Sequence, residues 1–115
     1  MALFGQSIFC DPNFTGISEA RARPGKITFW EFSNGPGSVD AYIQIFDSKS
    51  EDVTLGETVP DICLYVPKGG GNAQLVNGDS RIKFETAITV AVTTQPDNGE
   101  APAQAIVANI ISHDI

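Results

Sequence analysis

Apolar residues recur at every second position over short runs of this chain, and the runs are separated by clusters of Gly, Pro, Asn and Asp. That is the pattern of β-strands joined by turns. The clearest run is Val39 to Asp47, VDAYIQIFD, and the run before it is Lys26 to Phe32, KITFWEF. Between them lies Ser33-Asn34-Gly35-Pro36-Gly37-Ser38, whose Gly and Asn tolerate positive φ and whose Pro cannot donate to a ladder, so the spacing predicts a β-hairpin. Both strands carry apolar residues on both faces: Ile27 and Phe29 against Trp30 and Phe32, then Val39, Ile43 and Ile45 against Tyr42 and Phe46. A hairpin wetted on one side has no need of this.

The rest of the chain continues the pattern. Residues 1–25 are the least regular part, read as an N-terminal arm or a first strand plus loop, with Ser18 to Arg23 able to form one helical turn before Pro24. Leu3, Phe4, Ile8 and Phe9 crowd its start, and each is worth about 1.5–3 kcal/mol when buried, so the domain or a neighbour must cover them. After the hairpin comes a polar connection, Ser48 to Pro60, with Val53-Thr54-Leu55 as its apolar patch. Asp61 to Val66 reads as a strand. Pro67 to Asn72 breaks it with a triple glycine that lacks the Gly-Lys-Ser/Thr and helix of a phosphate loop. Asn77-Gly78-Asp79-Ser80 predicts a hairpin turn, followed by Arg81 to Phe84 and by Ala87 to Thr94, in which Ile88, Val90 and Val92 oppose a face of small residues. Gln95 to Pro102 is a loop, and Ala103 to Ile111 is a last strand, apolar on both faces. Residues 26–115 therefore form an all-β domain, an antiparallel β-sandwich of six to eight strands, with jelly-roll and immunoglobulin-like topologies both open.

Composition narrows the function classes. The chain has 115 residues, 42% of them hydrophobic and 18% charged, which is enough for one core without metal or disulfide staples. Its formal charge of −7 leaves no basic stripe for phosphates and disfavours docking on anionic membranes, so neither direct nucleic-acid binding nor membrane attachment is expected. The start, MALFGQSIF, has no positive n-region or cleavage site, and no signal peptide is read there. Cys10 and Cys63 have no metal or redox spacing and are read as free thiols, Cys63 packed in a strand, with a disulfide as the alternative. His113 stands near the end and no nucleophile has a recognisable context, so no catalytic residues, metal ligands or cofactor are assigned. Asp97 to Glu100 lacks the alternating oxygens of a calcium loop. The aromatics Trp30, Phe32, Tyr42, Phe46 and Tyr65 are read as core or subunit interface, with a sugar-stacking platform as the alternative.

In order, PGKITFWEFSNGPGSVDAYIQIFD, VTLGETVPDICLYVPKGGG and RIKFETAITVAVTTQPDNG resemble a small β-sandwich protein type of tailed-phage and prophage genomes. The matching elements are Asn34-Gly35, Tyr42 to Asp47, Gly56 to Pro60, Pro67 to Gly71 and Thr93-Thr94, across residues 24 to 110. Ala87 departs from the Gly expected there. The resemblance implies a virion structural protein made in the host cytoplasm, a decoration (cement) protein on the outer capsid surface that bridges capsid subunits and is commonly trimeric. A tail, fibre or neck component with a glycan- or receptor-binding sandwich is the alternative. The partners implied are capsid or other virion proteins and further copies of the chain. The interface expected from the residues comprises Leu3, Phe4, Ile8, Phe9, Trp30, Phe32, Tyr42 and Phe46.

Overall fold

The computed structural model describes residues 5–35, 39–76, 82–96, 99, 100, 102 and 104–115. Within them lie nine strands: β1 Gln6–Phe14, β2 Gly16–Arg21, β3 Gly25–Ser33, β4 Ala41–Phe46, β5 Ile62–Val66, β6 Asn72–Val76, β7 Ile82–Phe84, β8 Ile88–Thr93 and β9 Ile106–His113. Sheet A has the order β1-β9-β3-β6, with β7 following β6 along the same side of β3, and sheet B has the order β2-β8-β4-β5. All pairings are antiparallel. Counting β6 and β7 as one interrupted edge, this is the strand order of a jelly roll. An immunoglobulin-like sandwich would start with two strands in one sheet, whereas β1 and β2 lie in different sheets.

This topology corrects the hairpin. The two strands expected to form it exist as β3 and β4, but β3 bonds to β9, β6 and β7 while β4 bonds to β8 and β5. The Gly- and Pro-rich connection between them crosses from one sheet to the other. Local turn chemistry specifies that the chain reverses; it does not specify whether the next strand lies beside the last or opposite it. The helical turn over Ser18 to Arg23 is also replaced, since most of it lies in β2, whose register with β8 runs from Gly16 opposite Val92 to Arg21 opposite Ile88. From Gln6 to Arg21 the chain thus supplies one strand to each sheet, in place of an irregular segment. The turn expected at Asn77 to Ser80 lies outside the described residues.

Between the sheets, Phe14, Ile27, Trp30, Phe32, Ile43, Ile45, Val66, Phe84, Ile88, Val90, Val92, Ile106 and Ile110 form one core cluster. A bulge in β3 sets its membership. The register against β9 slips between Ile27 and Phe29, so the extra residue, Thr28, puts Ile27, Trp30 and Phe32 on the inner side and turns Phe29 outward.

One end of the sandwich is closed by Arg21, whose side chain is fully buried. Its guanidinium donates to Pro24 O (2.9 Å), Gly5 O (3.3 Å), Ser7 Oγ (3.0 Å) and Ser112 Oγ (3.4 Å) and pairs with the Asp114 carboxylate. Five acceptors around one fork tie the start of β1, the β2–β3 turn and the end of β9 together. Gly25 is required beside it, because a Cβ there would lie 2.7 Å from the His113 carbonyl oxygen.

Candidate functional site

The outward faces of the two sheets are treated in opposite ways. On sheet B, Gln44, Phe46, Thr89, Ala91 and Thr93 point outward from the two inner strands and are all at most 1% exposed, while Ile17 (39%) and Tyr65 (51%) stay open on the two edge strands. What covers the inner-strand residues is the chain's own connections, residues 47–61 between β4 and β5 and, from the connection between β8 and β9, Gln95, Pro96 and Gly99. Ser48 O accepts from Thr89 Oγ1 (2.7 Å), Ser50 N, which opens a 3-10 turn Ser50–Asp52, donates to Glu19 Oε2 (2.9 Å), and Gln95 O accepts from Thr93 Oγ1 (2.6 Å). Gln44 is held under this roof by donating to Thr93 Oγ1 (2.8 Å). The two connections also meet each other, since a Cβ on Gly99 would stand 2.9 Å from Leu55 Cβ. A cavity of about 170 Å³ remains between Gln44, the residues 56–60 and Pro96, too small for a drug-sized ligand, which needs about 300 Å³ or more.

On sheet A nothing within the described residues covers the outward face. The strand registers align its side chains in rows that cross the strands. Ile8 faces Ile111, which faces Phe29, giving an apolar row over β1, β9 and β3. Ile8 is 59% exposed, and Phe29 and Ile111 are half-buried. One row toward the Arg21 end lie Gln6, His113, Lys26 and Lys83; one row the other way lie Cys10, Asn109, Glu31 and Gln74. The Gln74 side-chain amide donates to Glu31 Oε2 (2.9 Å) and holds that carboxylate in its row. The face therefore reads basic, apolar, acidic along the strands. An antiparallel sheet with one wet side normally alternates apolar inward with polar outward, so an outward apolar row is the exception that marks an interaction surface.

The residues expected at an interface are scattered by the fold. Phe32 and Phe46 are fully buried and Trp30 is 7% exposed, the first and last of these in the core and Phe46 under the roof of sheet B. All three are consumed by the domain itself. Phe9 points inward and meets Phe14 edge to face, with ring centres 5.7 Å apart. Ile8 lies on the exposed row, and Leu3 and Phe4 lie outside the described residues. Tyr42 is on the outward side of sheet B with Tyr65, which is 51% exposed, their rings 5.2 Å apart and tilted by 33°. The Tyr65 hydroxyl (3.1 Å) and the Lys68 backbone N–H (3.0 Å) both donate to Asp40 Oδ1. These bonds, the Lys68 one foremost, hold the Asp40 carboxyl below its ordinary value, and the same Asp40 contact raises the Tyr65 phenol.

Sequence reasoning did not single out Lys26, Glu31 and Ile111 as surface residues. Their signal was present: Lys26 and Glu31 are the polar positions of β3, and Ile111 is on the second apolar side of the last strand. It became readable only once β9 was known to run between β1 and β3. Cys63 also differs from expectation. It sits in β5 but points outward and is exposed, and partial burial nudges its thiol upward. Cys10 is exposed on the opposite outer face, so the two thiols cannot approach the distance of a disulfide without refolding. Among the described residues no cluster of His, Cys, Asp and Glu could hold a metal ion. Comparison with family models, with curated proteins and with solved structures found no match.

Proposed function

We propose that this chain is a structural protein of a tailed-phage virion, a decoration protein that self-associates and bridges capsid subunits on the outer surface of the shell. The observation that carries the reading is the open apolar row Ile8-Ile111-Phe29 on a domain that spends two long connections roofing its other sheet. A freely diffusing domain gains nothing from leaving that row wet. The particle itself comes from the resemblance of residues 24 to 110 to small tailed-phage sandwich proteins, and the jelly roll is a fold that viral shell and lectin domains both use. The test is sedimentation of the purified chain with expanded, undecorated tailed-phage shells. Saturable co-sedimentation that Ile8→Asp abolishes is expected; a folded wild-type chain that stays in the supernatant overturns the reading.

The second reading, a glycan- or receptor-binding sandwich on a tail or fibre, has one observation of its own. Tyr42 and Tyr65 form a surface aromatic pair beside the Asp40 carboxylate, and rings with a nearby acceptor suit a sugar. Glycan-array binding lost on Tyr65→Ala would favour this reading. Trp30 fluorescence cannot serve as its probe, because that ring is inside the core.

A further inference from the structure

We infer that the outer face of sheet A binds a second copy of this chain about a two-fold axis that runs along the row Ile8-Ile111-Phe29. This rests on the self-association part of the proposed function and not on the shell. The order of the rows sets the axis. Lys26 and Lys83 stand on one side of the apolar row and Glu31 on the other, with β3 carrying one charge of each sign.

Two copies of a sheet can meet face to face about an in-plane two-fold axis laid either along the strands or across them. An axis along the strands keeps each row opposite the same row: laid on β3 it sets Lys26 against Lys26 and Glu31 against Glu31, and laid on β9 it sets Lys26 over the partner's Gln6 and Glu31 over the partner's Cys10, so it brings no opposite charges together. An axis across the strands, along the apolar row, exchanges the flanking rows. Lys26 then stands over the partner's Glu31 and Glu31 over the partner's Lys26, while Phe29, Ile111 and Ile8 each meet their own copy at the axis. Strands of the two copies run antiparallel, with the close alignment usual for stacked sheets. The patch is self-complementary, as an isologous interface must be. A three-fold ring of the kind implied by the phage resemblance would need a second, different patch, and on the outer face of sheet B the middle of the sheet is taken by its own loops, with Ile17, Cys63 and Tyr65 exposed on its edge strands.

Cys10 and Cys63 supply a built-in readout. Cys10 lies in the acidic row and would be covered by the partner's basic row; Cys63 lies on the outer face of sheet B and would stay open.

The experiment is sedimentation equilibrium of the full chain over a dilution series, with maleimide labelling of the two thiols at each concentration. A reversible dimer is expected, with labelling of Cys10 slowing as the dimer forms and labelling of Cys63 unchanged. Lys26→Glu and Glu31→Lys should each weaken dimerisation roughly 10- to 100-fold, because each converts two attractive pairs into two repulsive ones. Mixing these two variants, or combining both changes in one chain, should restore it. Both positions are partly solvent-exposed, and circular dichroism of each variant confirms that it is folded. A wild-type chain monomeric at every concentration, a trimer, or charge-reversed variants that fail to complement would each overturn the inference. Shell binding by a chain shown to be monomeric would overturn the dimer and leave the decoration reading standing.

Discussion

Two sheets of one sandwich, built from strands that look alike, end with different fates. The outward side of β4 and β8 in sheet B carries Gln44, Phe46, Thr89, Ala91 and Thr93, and all are buried under the chain's own connections. The outward side of β1, β9 and β3 in sheet A carries Ile8, Ile111 and Phe29, and no described segment covers it. An excess of apolar strand surface therefore has two solutions in the same molecule. One is intramolecular, where a loop carrying Val53, Leu55 and Pro60 lies back on the sheet. The other is left to a partner.

The comparison breaks most severely at Phe46. Phe46→Ala should destabilise the fold by about 3–5 kcal/mol, read as a fall in the urea midpoint without a change in slope, because it empties a site from which water is excluded. If Phe46→Ala were as mild as a surface change, the roof would not be part of the folded unit. Asp114→Asn comes next, at about 1–3 kcal/mol, since it strips the buried Arg21 guanidinium of its counter-charge; the half-exposed position of Asp114 keeps the loss below that of a fully buried pair. Ile8→Asp, on the open row, should leave monomer stability within about 0.5 kcal/mol of wild type while removing association. A large loss of stability there would mean that the row is covered within the monomer.

The smallest effect sits at the Tyr42-Tyr65 pair. The folded Asp40 carboxyl lies below its ordinary 3.8, so its bonds to Tyr65 and Lys68 persist above that pH and are lost as pH falls through the lower folded value. The Tyr65 phenol is raised above 10.0, so its contribution is full below pH 10.0 and is lost as pH rises through the folded value. Asp40→Asn should bring the Tyr65 titration, followed by phenolate absorbance, back toward 10.0. An unchanged titration would show that the Asp40 contact is not what raises it.

Much of the fold was legible in the residues. Alternation located the strands from Lys26 onward to within a few positions, as with β8, expected over Ala87 to Thr94 and found at Ile88–Thr93. The candidate site was legible in part: Ile8 was singled out, but Trp30, Phe32 and Phe46 went with it because apolar size alone does not distinguish a core ring from an interface ring. Arg21 was hidden for a related reason. A lone arginine in a polar-looking stretch reads as surface until the topology brings Gly5, Ser7, Ser112 and Asp114 around it.

By itself, the sequence determined that the chain is all-β, where it turns, and which positions alternate, because a strand's two-residue period and the conformational limits of Gly and Pro are local properties. Only the tertiary structure decided that β3 and β4 face each other across the core instead of pairing, that a bulge at Thr28 turns Phe29 outward, and that one apolar face is roofed while the other is open. Those outcomes depend on which distant strand supplies the next hydrogen-bond ladder. The period of a strand names its two faces, and only the neighbours that the fold brings to each face say what covers it.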